Sequence, residues 1–332
     1  MDRDEWLAQT VEETLDPDLE ICDPHHHLWD HPQSRYLLDE LLEDTNSGHN
    51  IVSTVFMECG SMYRSEGPQS HSPVGETEFV NGIAAMSASG GYGATKACAS
   101  IIGFADLMLG AEAGDVLDAH MAASPRFKGI RHAAGWDSHP EVRNSHTDPI
   151  EKLMSHPSFR EGFAELGKRN LTFDAWLYHP QIPELTDLAK AFPEQPIVFD
   201  HFGGPLGIGP YEGKHEETFD YWKPVVAELA KCENVVAKLG GLVMPVNGFG
   251  WHKEPKPPTS DQLAQITKPY YLHMIEHFGV NRCMFESNFP VDKASCSYAV
   301  LWNSFKKIAS GFSETERSAL FKDTAETVYS VA

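Results

Sequence analysis

The chain has 332 residues, 41% hydrophobic and 22% charged, enough apolar side chain to offset the entropy of ordering, which excludes a disordered or collagen-like chain. Lys and Arg number 26 against 48 Asp and Glu, a formal charge of −22, and a field of that sign repels phosphate backbones and anionic lipid. Nucleic-acid and membrane partners are therefore not expected, and no run approaches the roughly 18 uninterrupted apolar residues of a membrane span.

Residues 1–19 are polar and acidic. They lack the basic and apolar regions of a secretory signal, so an N-terminal arm and a cytoplasmic protein are expected. Strands are predicted at 20–23, 51–58, 99–105, 127–132, 171–178, 196–201, 235–239 and 283–287. Most are rich in Val, Ile and Phe with little alternation, as in strands buried on both faces. Between and after them, helices are predicted at 74–88, 114–123, 158–169, 182–191, 219–231, 261–278, 294–309 and 314–328. Pro183 falls in the first turn of one helix, where its missing N–H is harmless. Ser313 reads as the N-cap of the last.

Strands alternating with helices predict a parallel sheet. Eight such units close into a (β/α)8 TIM barrel, here one domain over 20–332. The first strand–helix turn carries histidines and no GxGxxG, which disfavours an open dinucleotide-binding sheet. Two long loops, 59–73 and 240–258, follow strands two and seven. At the C-terminal face of a barrel such loops serve as lids or binding walls. None of the six cysteines (Cys22, Cys59, Cys98, Cys232, Cys283 and Cys296) forms a CxxC pair. Four lie in or beside apolar runs, as small buried hydrophobes do, which suits a reducing cytoplasm.

The clearest chemical signal ends strand one: Cys22-Asp23-Pro24-His25-His26-His27-Leu28-Trp29-Asp30. Along extended chain Asp23, His25 and His27 point to one side and His26 to the other. Two neutral imidazoles converging at a strand end suit a divalent metal. Arg131 ends strand four, where a guanidinium can bind a substrate carboxylate in bidentate fashion. Lys238, near the end of strand seven, is costly to bury unpaired and is expected to meet a carboxylate of protein or substrate. Tyr63 and Arg64 on the first long loop and Trp136 after strand four are candidate pocket walls. No P-loop, GxSxG elbow or HExxH is present.

The run from Asp23 to Asp30 resembles the opening of the amidohydrolase superfamily, in its amidohydrolase-2, lactonase-like branch. That branch holds the 2-pyrone-4,6-dicarboxylate lactonases, the fuconolactonases and the sulfomuconolactonases. The likeness continues in Phe127-Lys128-Gly129-Ile130-Arg131-His132 and Phe173-Asp174-Ala175-Trp176-Leu177-Tyr178. It extends through Val198-Phe199-Asp200-His201-Phe202-Gly203-Gly204-Pro205, Asn234-Val235-Val236-Ala237-Lys238-Leu239-Gly240-Gly241 and Met284-Phe285-Glu286-Ser287-Asn288-Phe289-Pro290-Val291. It implies a barrel that hydrolyses its substrate at the C-terminal face, with His201 as metal ligand or general base. His179, in Tyr178-His179-Pro180-Gln181, resembles the His-Pro ligand of related metal-dependent decarboxylases, with Gln181 the alternative polar residue.

Strand eight departs from the family. Its usual Gly-Ser-Asp-Trp-Pro reads here Glu286-Ser287-Asn288-Phe289-Pro290. Asn288 stands where the Asp should be, and an amide takes no proton from water. Glu286, on the same face two residues earlier, or Asp292, four residues on, is the candidate replacement carboxylate. The structural alternative is an ion pair between Glu286 and Lys238. The expectation is therefore a hydrolase opening a small carboxylated or hydroxylated lactone. In its metal-bound form His25 and His27, with His179 or His201, hold a zinc-like ion; in its metal-free form histidines polarise the carbonyl. Arg131 and Lys238 orient the substrate anion. A metal-dependent decarboxylase, or a non-catalytic small-molecule-binding barrel, is the alternative. A homodimer is the default assembly.

Overall fold

The computed structural model describes residues 2–331. Eight strands run in chain order around one sheet: β1 (Glu20–His26), β2 (Asn50–Met57), β3 (Lys96–Gly103), β4 (Phe127–Arg131), β5 (Thr172–Ala175), β6 (Ile197–Phe199), β7 (Val235–Leu239) and β8 (Cys283–Phe285). All seven neighbouring pairs are parallel, and helices cover the outside. This is the (β/α)8 barrel expected from the alternation of strand and helix.

The barrel closes between β1 and the segment after β8. His26 bridges Phe289 in parallel, the His27 N–H donates to the Phe289 carbonyl at 2.8 Å, and the Asn288 N–H donates to the His25 carbonyl at 2.9 Å. Side chains reinforce the seam. Asp23 accepts from the Ser287 N–H at 2.9 Å and from the Tyr298 hydroxyl at 2.9 Å. Pro24 offers no N–H to the β1–β2 ladder, and the register slips between Asp23 and His26.

Two apolar layers carry the fold. Between strands and helices lies the main core, with Phe159, Phe163, Phe173, Leu185 and Trp222. Inside the lower barrel Cys22, Val55, Met57, Ile102, Val198 and Met284 pack with Tyr329. Tyr329 ends the helix Thr324–Tyr329, and its carbonyl accepts from the Ser100 hydroxyl at 2.7 Å. The final predicted helix is broken by a π-helical turn, Ala319–Asp323.

The N-terminal arm is bound to the barrel. Trp6 Nε1 donates to the Glu254 carbonyl at 3.0 Å, the Ser260 N–H to Glu12 at 2.7 Å and Asn303 Nδ2 to the Glu13 carbonyl at 2.9 Å. The six cysteines are free thiols. Among the described residues no helix is long and apolar enough to cross a membrane. A third long loop, residues 132–152, follows β4 and was not anticipated. It is tied over the C-terminal face by the Tyr178 hydroxyl, which donates to the Arg143 carbonyl at 2.5 Å.

Candidate active site

Two cavities of similar size open at opposite ends of the barrel. One, of about 580 Å³, lies at the N-terminal ends of the strands, beside Lys96, Ala97 and Pro125. The other, of about 570 Å³, has His27, Arg131, His201 and Asn288 among its lining residues. Chemistry in this fold resides at the C-terminal ends of the strands, so the second is the candidate site. Trp176, Tyr178, Ile208, Met244 and Val246 form apolar wall, and Arg143, His146, His252 and Lys253 add basic groups. Among the described residues no carboxylate lines it.

Beneath that pocket lies a buried charge network. Glu286 bridges two imidazoles: His25 Nδ1 lies 2.8 Å from Oε2, and His201 Nδ1 lies 2.6 Å from Oε1. Lys238 Nζ sits 2.8 Å from Asp174, 3.3 Å from Asp200, 3.9 Å from Glu286 and 3.3 Å from His25 Nδ1. Arg131 Nε donates to Glu58 Oε1 at 2.7 Å, and its Nη1 lies 3.3 Å from His25 Nε2 and 3.8 Å from Asp200. His146 Nε2 bonds the other Glu58 oxygen at 3.0 Å. From below, the Tyr329 hydroxyl donates to Asp174 at 2.5 Å.

The backbone is strained where the floor is made. His201 and Asn288 both have left-handed φ, 51° and 55°, which non-glycine residues adopt at a cost when surrounding structure holds them. The Asn288 amide nitrogen donates to Asp292 at 3.0 Å, which turns the amide oxygen away from Asp292. Gly241 is required beside His201. A Cβ there would come within 2.3 Å of His201 Nδ1, and its φ is +72°.

Burial sets the protonation states. It lowers the pKa of His201 to about 3 and, with Lys238 and His201 nearby, holds His25 well below the ordinary histidine value. Burial, then Arg131, does the same for His27. All three imidazoles are neutral near pH 7. Burial raises Glu286 to about 8 and Asp200 to about 6, against the opposing pull of Lys238. For Glu58 burial is outweighed by Arg131 and His146, and its pKa falls to about 2.

The structure gathers some of the residues singled out in the sequence and separates others. His25, His201, Glu286, Arg131 and Lys238 share the network, and His27 stands beside it with its ring centroid 5.0 Å from that of His25. His27 Nδ1 bonds the Met57 carbonyl at 2.9 Å, so the pocket-side nitrogen carries a lone pair. The ion pair of Glu286 with Lys238 exists but is its longest contact. Asp292 underpins Asn288. His179 lies elsewhere: its Nδ1 accepts the Leu206 N–H at 3.2 Å, and its ring packs against Tyr211 and Tyr221 around a separate surface hollow. Gln181 is a brace, donating to the Ala134 carbonyl and accepting from the Trp136 and Tyr178 N–H groups. Arg64 is exposed and paired with Glu78. Tyr63, Arg64, Trp136, Gln181, Lys238 and His179 do not line the pocket.

Sequence reasoning missed Glu58, Asp174, His146, Arg143 and Trp176 as functional residues. Glu58 and Asp174 carried a usable signal, an acid at or near the end of a predicted barrel strand. His146 and Arg143 carried none.

The amidohydrolase family profile (Amidohydro_2) matches residues 22–331. The chain belongs to this family. An uncharacterised protein of Sinorhizobium fredii, y4mH, is 34% identical over 342 residues, covering 95% of this chain and 99% of that protein. An L-fucono-1,5-lactonase of Burkholderia multivorans is 25% identical over 183 residues, 55% of this chain and 59% of that protein. The crystal structure of a Burkholderia multivorans amidohydrolase with bound zinc has TM-score 0.72 at 20% identity, covering 94% of this chain and 99% of that one. At that identity the fold is what is shared.

The donors of this amidohydrolase suit a divalent metal. His25, Asp200 and His201 each place a ligand atom within 4.8 Å of the others. Neither Asp200 oxygen receives a hydrogen bond. Glu58, Asp174, Asp200 and Glu286 are four buried carboxyl groups facing two buried cations, Arg131 and Lys238. Two positive charges, or protons held on carboxyls such as Glu286, balance that surplus.

A nearby carboxyl gives a cleaner pH test. Glu76 Oε1 accepts from the Cys59 and Ser61 N–H groups, while the buried Oε2 has no partner. Burial, then the Glu58 charge, raises its pKa from 4.5 to about 8. The folded state thus keeps a proton that the unfolded chain releases, and this stabilisation fades as pH rises through that window. Glu76→Gln keeps the acceptor and is expected to reduce the loss of unfolding free energy between about pH 6 and about pH 9 by about 1–2 kcal/mol. Urea unfolding at both pH values is the check; an unchanged pH slope refutes the assignment.

Proposed function

We propose that this amidohydrolase opens a small lactone that bears a carboxylate. One observation carries the reading. In a chain of charge −22, the pocket above the His25–Glu286–His201 bridge is lined by two arginines, a lysine and four histidines, and by no acid among the described residues. Such a pocket attracts and orients an anion. Its apolar wall of Trp176, Tyr178, Met244 and Val246 suits a ring. The partial likeness to an L-fucono-1,5-lactonase supports a cyclic ester as the class.

Glu286 turns the Nδ1 edge of His201 towards itself, which leaves Nε2 on the pocket side. His201 Nε2 takes a proton from water as the oxygen attacks the lactone carbonyl. Once ionised, Glu286 offsets the charge that develops on the ring, the orienting role of a carboxylate behind a histidine base. Arg131 faces the oxygen that gains charge. The proton then passes to the leaving ring oxygen, and a hydroxy acid is released. A divalent metal held by His25, Asp200 and His201 would polarise the carbonyl and acidify a bound water. His201 would then serve as a ligand, with Glu286 behind both imidazoles holding their orientation.

The test is acid release from five- and six-membered lactones, with and without a ring carboxylate, by metal-replete protein. The carboxylated members are expected to have kcat/KM about 10- to 100-fold above their neutral counterparts, the worth of a charged hydrogen bond. Failure to open any lactone overturns the reading. Arg143 and Lys253 lie on this pocket, and neither makes an ion pair among the described residues. Exposed charges of this kind are each worth up to about 1 kcal/mol. Arg143→Ala with Lys253→Ala is therefore expected to raise KM for a carboxylated lactone by about tenfold, with kcat and the KM of a neutral lactone little changed.

A further inference from the structure

We propose that His273, Glu276 and His277 form a zinc-type metal site on the outer surface of the barrel, separate from the pocket. All three lie on the helix Ser260–Phe278. They are spaced i, i+3 and i+4, which stacks them on one helix face. Their ligand atoms lie within 4.8 Å of one another, and the two imidazole centroids are 4.3 Å apart. None of the three lines the catalytic pocket.

Two further observations set this trio apart from a chance pair of surface histidines. His273 is half-buried, and its Nε2 bonds the Lys223 carbonyl of the neighbouring helix at 2.9 Å. A carbonyl accepts only, so Nε2 carries the hydrogen and Nδ1 keeps its lone pair. That is the outer-shell arrangement of metal-bound histidines, which fixes tautomer and ring orientation in advance. The position is also electrostatically favourable. The trio occupies the last turns of a 19-residue helix, where the negative end of the helix dipole favours a cation. Lys223, whose charge acts on His273, is paired with Asp220 at 2.9 Å and lies over the Phe219 ring.

Two imidazoles and one carboxylate suit Zn²⁺, Ni²⁺ or Cu²⁺ and not Mg²⁺ or Ca²⁺. Three protein donors leave a coordination position open to water or to a donor from another molecule. The His273 bond to the Lys223 carbonyl joins the site to the helix His215–Leu229. Metal content of the whole protein would then exceed what the central donors hold.

The experiment is a Zn²⁺ titration by calorimetry of chelator-stripped full-length protein, repeated with Mg²⁺. Wild type is expected to take up an equivalent with a dissociation constant in the micromolar range, silent to Mg²⁺. His277→Ala, at an exposed position, is expected to weaken that equivalent at least tenfold, and His273→Ala with His277→Ala to abolish it. Glu276→Gln should weaken it with no change in thermal unfolding of the stripped protein. Zn²⁺-dependent dimerisation that disappears in His277→Ala would equally support the site, with a second copy filling the open position. The proposal is overturned if the double variant binds as many equivalents as wild type with the same affinity, or if Mg²⁺ competes. No substrate enters the assay, so failure of the lactonase reading leaves it intact.

Discussion

Glu286→Gln is expected to lower kcat by about 10³- to 10⁴-fold with KM moved by less than about threefold. The magnitude is that of removing the carboxylate behind a catalytic histidine while its shape is kept. Glu286 makes a close contact of 2.6 Å to His201 Nδ1 and lies 2.8 Å from His25 Nδ1. A glutamine in its place cannot offset a positive ring or accept a proton. The fold should survive near pH 7, because glutamine keeps the volume of the side chain and an acceptor oxygen for the His201 Nδ1 hydrogen. Thermal unfolding at that pH is therefore the control. Asp292→Asn, which acts through Asn288, is expected to cost only about tenfold, the typical effect of a supporting hydrogen bond. If Glu286→Gln keeps more than a tenth of wild-type kcat, His201 does not depend on the carboxylate behind it.

How far the site was legible depended on where each residue sits. Side chains on strands were read well because an extended chain alternates its faces. His25 and His27 point to the site, while His26 turns outward to Thr54 at 2.9 Å. The rule did not carry past strand eight, which ends at Phe285: Asn288, at left-handed φ, lines the pocket, whereas Glu286 lies beneath it among the imidazoles. It failed at His179 because β5 stops at Ala175, whereas the apolar run extended the prediction to residue 178. Beyond Ala175 the chain leaves the ladder. Trp176 and Tyr178 become pocket wall, Gln181 ties the turn to the β4 loop, and His179 rotates towards Tyr211 and Tyr221. The third loop was illegible for a different reason. Arg143 and His146 reach the pocket through tertiary bonds, Tyr178 to the Arg143 carbonyl and His146 to Glu58, and no local periodicity encodes those. Arg64 erred in the opposite direction: a charged residue on a long loop found a surface partner in Glu78.

Lys238→Met is expected to destabilise the protein by about 3–5 kcal/mol, the cost of leaving a buried charge without its partner. Lys238 is fully buried among Asp174, Asp200 and Glu286. Burial alone would lower its pKa, but those carboxyls raise it, so the ammonium is charged in the folded protein. Methionine fills the volume and removes the charge. Asp174 then keeps only the Tyr329 hydroxyl, and Asp200 only Arg131 at 3.8 Å. Adding Asp174→Asn should recover part of the loss, because the second change removes the charge that the first orphaned; a double-mutant cycle reads that coupling. Tyr329→Phe supplies the graded comparison. It keeps the ring that lies 5.2 Å from Lys238 Nζ and the packing of the lower barrel, deletes one hydrogen bond to a charged group, and should cost about 1.5–3 kcal/mol. Denaturant unfolding of the four proteins beside wild type decides the matter. If Lys238→Met is as stable as wild type, the ammonium does not balance the acids around it. The same carboxylates would then have to hold protons in the resting protein.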